Sequence, residues 1–222
     1  MCERASDNAS MTDFNALAAQ VSEQLDANVI SLRDGLVTLS RHLQREFKVS
    51  RVTVWGVEGL NDQRTMRRAG GFDGVEETAI SDQATFVEKQ VKDYLATLSE
   101  RGVYASCDSL ADPLLSELKK SYLIPLDIRA SLDGAINING ELIAVFCFAQ
   151  QGVTRQWTCR EVGAALAFAR NVAILRARRL GRAGRSFSLM EELGQGQPAN
   201  EAKISIGDIR APRSRSEKSG GE

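Results

Sequence analysis

Apolar residues recur every three or four positions from Phe14 to Phe47: Phe14, Leu17, Val21, Leu25, Val29, Leu32, Leu36, Leu39, Leu43 and Phe47. That spacing is one face of a helix and predicts a single long helix over 14–47. A stripe that approaches a heptad repeat over more than four heptads calls for a partner helix, so the segment reads as a dimer stalk. Gly35 weakens its middle and marks where the stalk would meet the domain. The pattern then changes. "RVTVWGV" (51–57) is rich in β-branched residues and reads as a strand. "GLNDQ" turns the chain, 64–70 returns as a second strand, and Gly70-Gly71 reads as a loop. From Asp82 the helical spacing resumes through Val87, Val91, Tyr94 and Leu98, with Gly102 at the C-terminal cap. "VYASC" (103–107) is a short strand. "ADPLLSELKK" opens a helix with Asp112 as N-cap and Pro113 in the first helical position. Two strands follow, "LDGAINI" and "ELIAVFCFA", joined by Asn139-Gly140, a strong hairpin signal. A last helix runs from about Thr158 to about Arg179.

These elements predict an α+β domain in which terminal helices bracket a sheet over roughly 30–180. Residues 1–12 read as a flexible tail, 13–180 as the domain with its dimerisation helix (core 35–178), and 181–222 as a disordered tail of Gly, Ser, Pro and charge. The sequence has no internal repeats.

Composition narrows the classes. The 222 residues carry 28 basic and 29 acidic side chains, a formal net charge of −1, so charge does not call for a nucleic-acid partner. The run Leu142–Ala149 is too short to span a bilayer, and no charged-then-apolar leader opens the chain. The expectation is a cytoplasmic protein without a membrane partner. Cys2, Cys107, Cys147 and Cys159 form no C-x-x-C pair, and His42 is the single histidine, so no metal site is predicted. Reduced, unpaired thiols fit the cytosol.

"TRQWTCREV" (154–162) gathers a thiol, a carboxylate and two guanidinium groups, which is the inventory of a catalytic site. Its spacing points elsewhere. Thr158 and Glu161 form Thr-x-x-Glu, a capping box, and Trp157 and Val162 occupy the positions of a hydrophobic staple. The stretch reads as the start of the last helix.

Three segments together resemble the GAF domain, the small-molecule sensor module of signalling proteins. "REFKVSRVTVWGV" is an amphipathic helix leading to a strand with Trp55. "SLDGAININGELIAVFCF" is similar to the family's Leu-Asp hairpin. "TRQWTCREVGAALAFARNVA" is similar to its Arg-x-Trp and Glu before the last helix. The likeness covers about 35–178. It implies a central antiparallel sheet, with long N- and C-terminal helices on one face and a pocket covered by loops and short helices on the other. It also implies a sensory, regulatory protein without catalysis. A small-molecule effector would bind it, and signals would leave through terminal helices paired in a homodimer. There is no Asn-Lys-x-Phe-Asp-Glu motif of the cyclic-nucleotide-binding members, and no Cys-His pair of the kind that attaches a bilin. No output segment follows residue 180, so the expectation is a stand-alone member, and its cofactor is unknown.

By resemblance, Trp55, Tyr104, Cys107, Asp108 and Asp133 are the ligand-binding candidates, and no catalytic residue is assigned. Four of the five have a structural alternative. Trp55 and Tyr104 are of types more often found as core aromatics, Asp133 serves equally as a hairpin or turn residue, and a free cysteine such as Cys107 is more often packing. Cys147, mid-strand, reads as a small buried hydrophobe. His42 reads as an exposed or capping helix residue, with a heme or metal ligand as the alternative. The basic run 176–185 favours the dipole at a helix C-terminus, with an acidic surface as the alternative partner. Two further functions stay open. One is a thiol-dependent reductase of the methionine sulfoxide type acting through Cys107. The other is a dimerising adaptor with a vestigial pocket, whose tail 181–222 holds a partner protein.

Overall fold

A computed structural model describes residues 7–59, 63–183 and 188–194. Seven strands form one antiparallel sheet: β1 (Arg51–Glu58), β2 (Thr65–Asp73), β3 (Thr78–Ala79), β4 (Thr85–Val87), β5 (Val103–Ser106), β6 (Ile128–Ile138) and β7 (Glu141–Gln151). The spatial order is β3-β2-β1-β7-β6-β5, with β4 also pairing β2. Asn139 and Gly140, both at positive φ, close the β6–β7 hairpin as the sequence predicts.

Helices α1 (Asp7–Asp26), α2 (Leu32–Phe47) and α4 (Cys159–Ala183) cover one face of the sheet. Phe14, Val21, Leu36, Leu43 and Phe47 pack there against Val52, Val54, Phe146, Phe148 and Phe168. Helix α3 (Glu88–Arg101), a 3-10 turn (Pro113–Leu118) and a π turn (Lys119–Leu123) lie over the other face. Asp112 caps the 3-10 turn by accepting from the Leu114 amide, with Pro113 following it, and Gly102 ends α3 at φ 75°. We call this second layer the lid and the sheet surface beneath it the inner face.

The structure corrects the sequence reading in several places. The long helix over 14–47 is two helices. Asn28 turns into the left-handed region, and Ser31 opens α2 with a capping box whose partner is Asp34. Helix α1 folds back, so the apolar stripe finds its partner within the chain: the Phe14 ring lies 5.9 Å from Phe47 and 6.2 Å from Phe168. The periodicity crosses the break unchanged because both helices turn their stripe to one core. The same fold-back half-buries His42, whose ring edge meets Phe14 at 5.6 Å and whose Nε2 is enclosed without a partner.

Gly70-Gly71 lies inside β2, not in a loop. A β-carbon on Gly71 would stand 2.4 Å from the Val52 carbonyl oxygen, so the pairing of β1 with β2 requires glycine there. The segment at Asp82 leads into β4, and the helix starts only at Glu88. Past Gly181, a short helix α5 (Leu189–Glu192) returns to the sheet and buries Leu189 and Met190 against it. A β-carbon on Gly56 would meet the Met190 sulfur at 3.1 Å. Two arginines of the basic run pair within the chain, Arg176 with Glu192 at 2.7 Å and Arg179 with Asp26 at 2.9 Å. Residues 1–6 and 195–222, including Cys2, half of the expected N-terminal tail and most of the C-terminal one, lie outside the described residues, while 7–12 of the expected N-terminal tail are the start of α1.

Candidate functional site

Two rows of side chains cross the inner face, each fixed by strand register. The first is Tyr104 (β5), Asp133 (β6), Cys147 (β7), Thr53 (β1) and Gly71 (β2), each directly opposite the next. The second is Ser106, Ser131, Ala149, Arg51 and Asp73. Successive side chains of a strand alternate between faces. The sequence therefore sends Val52, Phe146, Phe148 and Leu132 to the helix layer and these mostly polar residues to the lid side.

Such a concentration of polar groups beneath a lid is costly unless each group finds a partner. Several do. The Trp55 indole donates to Thr53 Oγ1 at 2.9 Å, and Ser131 donates to Asp133 Oδ2 at 3.4 Å. Others do not. Arg51 Nε, Ser106 Oγ and Asp133 Oδ1 are buried without a hydrogen-bond partner. Arg51 is 5% and Asp133 3% exposed, so bulk water does not serve them.

Burial pushes the Asp133 carboxyl up to about 7, against bonds from Cys147, Tyr94 and Ser131 that favour its charged form. The Tyr94 hydroxyl and the Cys147 thiol lie 3.9 Å apart beside it. Burial, with Asp133 adding to it, raises both of their pKa values, so each keeps its proton. From the lid, Tyr122 reaches Thr53; burial raises its pKa, while nearby Arg51 and Arg68 lower it.

Cys147 keeps accessible surface although it sits mid-strand beneath the lid, while its strand neighbours Val145, Phe146, Phe148 and Ala149 are buried. Aromatic rings wall the layer nearby: Trp55 stacks on Phe86 at 5.0 Å, and Tyr122 meets their rings edge-on at 5.6 and 5.2 Å. Arg68 lies over the Trp55 ring at 5.3 Å and is held by an ion pair with Asp82.

Of the five sequence candidates, the structure brings three together. Asp133 and Tyr104 are opposite one another in the first row, and Trp55 bonds to its fourth member. Tyr104 also donates to Asp112 at the start of the lid. Cys107 and Asp108 lie past the end of β5, outside both rows. Cys107 is half-buried and its carbonyl accepts from the Arg155 amide; Asp108 is exposed and accepts from the amides of Leu110 and Ala111.

Arg51, Thr53, Tyr94, Tyr122 and Cys147 were missed. For Arg51 and Thr53 the signal was period two in "RVTVWGV", which alternates polar with apolar residues in its first four positions. Cys147 lies in an apolar run that conceals which face it takes.

"TRQWTCREV" has the role that its spacing predicts. Thr158 and Glu161 exchange cap bonds, Glu161 N to Thr158 Oγ1 at 3.2 Å and Thr158 N to Glu161 Oε2 at 2.8 Å. Arg155 pairs with Glu161 and stacks on Trp157 at 4.5 Å. Burial alone would raise the Glu161 pKa; the bonds from Thr158 and Arg155 outweigh it and hold the carboxyl below its usual range. Among the described residues, no cluster of three or more His, Cys, Asp and Glu side chains is placed to hold a metal ion. No described helix is long and apolar enough to cross a membrane.

Comparison with protein families matches the GAF domain model to residues 15–175. The chain belongs to the GAF domain family. A comparison with curated proteins finds no match. Among solved structures, this GAF domain is similar to the phycocyanobilin-bound GAF domain of a cyanobacterial phytochrome. The TM-score is 0.60 at 11% identity, over 78% of this chain and 98% of that one. It is also similar to the phytochrome photosensory core module of Stigmatella aurantiaca, with a TM-score of 0.59 at 11% identity, over 87% of this chain and 45% of that one. At such identities the likeness is one of fold. It bears out the α+β architecture: an antiparallel sheet between a layer of terminal helices and a lid.

Proposed function

We propose that this GAF domain is a non-catalytic sensory module that binds a small-molecule effector beneath its lid and passes the occupied state to its terminal helices. The observation that carries this reading is a pair of buried atoms beneath the lid that find no partner, Arg51 Nε and Asp133 Oδ1, on the two strands that flank Cys147. A polar ligand beneath the lid would satisfy atoms that the fold leaves without partners. Trp55, Tyr104 and Asp133 would contact it, with Cys107 and Asp108 at its rim.

The phycocyanobilin named for one neighbour is a linear tetrapyrrole. Here Trp55, Phe86 and Tyr122 pack on one another over the inner face, with Leu115, Leu118 and Leu123 above the sheet. A ligand of that size would have to displace this layer, so the effector is smaller.

The route outward is short. Asp133 faces the lid and the next residue, Gly134, faces α4. A β-carbon on Gly134 would stand 3.1 Å from the Ala165 carbonyl oxygen and 3.2 Å from the Ala169 methyl. With no side chain between strand and helix, a shift of β6 reaches α4 directly. An effector that favours one arrangement would thereby bias the helices. Pairing of two copies along the outer side of α4, where Ile174 is exposed, is part of this reading. So is a partner protein held by the remainder of 181–222.

A thermal-shift panel of nucleotides, amino acids and aromatic acids tests the binding. At least one compound should raise Tm in wild type and fail in Cys147→Leu, which puts a bulkier side chain between β1 and β6 beneath the lid. A panel without any stabilising compound contradicts the proposal. Light scattering tests the pairing, and a monomer at tens of micromolar, an order typical of such assays, removes it.

A further inference from the structure

The helix layer holds a space of its own, on the face of the sheet away from the lid. A cavity of about 70 Å³ lies among α1, α2, α4 and α5, with β1, β6 and β7 as its floor. Turns of the helices supply its walls: Ala18, Val21 and Leu25 on α1, Leu32 and Leu36 on α2, and Val172 on α4. Intervals of three and four keep each set on one helix face. Val54, Ala144 and Phe146 close the cavity from the sheet, and Leu189 closes it from α5. Gly35, a weak helix former, stands where α1 passes close: a β-carbon on it would meet Val21 Cγ1 at 3.1 Å.

Protein interiors leave few voids larger than a water molecule. This one is several times the ~15 Å³ that admits a single water, and about half the ~150 Å³ of an engineered apolar cavity that takes benzene or xenon. Water gains little here, because a buried water needs two to four polar partners. Of the described side chains that line the cavity, only Ser22 and Arg176 carry polar atoms. An empty cavity forfeits the dispersion contacts of its walls, and an apolar guest restores them. Leu25, Leu32, Ile143, Val172 and Leu175 line the cavity and pack on the core, yet are only partly buried. They form an apolar rim through which a guest can enter.

The charge at the cavity is already answered. Arg176 donates to Glu192 at 2.7 Å, and its side chain is 12% exposed. An anionic guest would bring a second carboxylate beside a paired and largely buried arginine, at the cost of its own desolvation. A cationic guest would meet Arg176 itself. A neutral guest meets neither obstacle.

We propose that this cavity is a second ligand site, separate from the effector site beneath the lid, and that it takes an uncharged, hydrocarbon-like molecule of a few heavy atoms. The guest touches Leu25 and Leu189 on one side and Val54 and Ala144 on the other, so its presence fastens α1 and α5 to the sheet. Occupancy of this site acts on the helices directly.

Amide spectra of the nitrogen-labelled full chain test it, recorded during titration with chloroform, benzene and dissolved xenon. Trichloroacetate and benzoate serve as the charged mates of the first two. The expected result is a saturating shift of amides around Ala18, Val21, Leu36, Ala144 and Val172 by a neutral probe, with its acid binding at least about tenfold more weakly. Ser22→Leu and Ala144→Val each put apolar volume into the cavity and should weaken the same probe by about tenfold or more. The comparison of neutral probe with acid needs neither variant to fold.

The absence of a saturating shift with every neutral probe overturns the inference, as does an acid that binds as well as its neutral mate. Shifts confined to residues 110–126 and the lid side of β6 overturn it too, since the probe then sits beneath the lid. So does a response that stays unchanged in both variants.

Discussion

Arg155 Nη2 donates to the Phe47 carbonyl at 2.8 Å, while Nη1 donates to the Lys48 carbonyl at 3.0 Å. The same guanidinium pairs with Glu161 in the first turn of α4. One side chain thus closes the end of α2 and steadies the start of α4, and the acid it holds is the one that caps Thr158. The cluster of reactive residue types in "TRQWTCREV" is a junction between two helix ends. Thr158→Ala should therefore lower stability by about 1 kcal/mol in urea unfolding and leave effector affinity unchanged. Loss of binding at unchanged stability would assign the stretch to the site.

Met190 is 1% exposed and packs against Gly56. It belongs to a segment whose composition reads as disordered tail. Met190→Ala should cost about 2–5 kcal/mol, the range for emptying a core methionine site. A loss below about 0.5 kcal/mol, the scale of a surface change, would show that α5 does not hold to the sheet in solution.

The raised pKa of Asp133 has a signed consequence. The folded chain keeps this proton up to about 7, whereas the ordinary value is 3.8. The stability contributed by the protonated group is complete below about pH 4 and is lost as pH rises through about 7. The facing groups do not blur that window: Tyr94 on α3, Tyr104 on β5 and Cys147 on β7 all have raised values and stay neutral, and Asp112 at the start of the lid adds to the upward push. Asp133→Asn should flatten the stability profile between about pH 4 and 7, a difference of a few kcal/mol at most. An unchanged slope would mean that Asp133 is ionised throughout.

The Trp55–Phe86–Tyr122 packing predicts a colourless protein. Purified protein, including a sample mixed with a linear tetrapyrrole, should show no ligand-induced visible band. A shifted and intensified pigment band would mean that the lid yields to a large ligand.

The sequence was legible where a local rule decides the outcome. Asn139-Gly140, Gly102, Asp112-Pro113 and the Thr158–Glu161 box each specify a turn or a cap with no help from tertiary structure, and each is found in place. The order of strands and helices followed. Failures came where the outcome depends on distant contacts. The break at Asn28 is silent in the periodicity, since a stripe that serves a fold-back looks the same as one that serves a stalk. Gly71 was read as a loop residue because its requirement, the Val52 carbonyl, is set by pairing across the sheet. The site was legible in part: Asp133 and Trp55 came through the resemblance, but the juxtaposition of Arg51, Cys147 and Asp133 exists only in the register of β1, β7 and β6.

The central claim is that a small effector occupies the inner face and is felt in α4. Hydrogen exchange of the full chain, with and without the panel compound that raises Tm most, tests it directly. The account predicts slowed exchange in 110–126 and in β6 around Asp133, together with altered exchange in α4 near Ala165 and Ala169. Protection confined to the helix layer between α1, α2 and α4, with the lid and β6 unchanged, would contradict it.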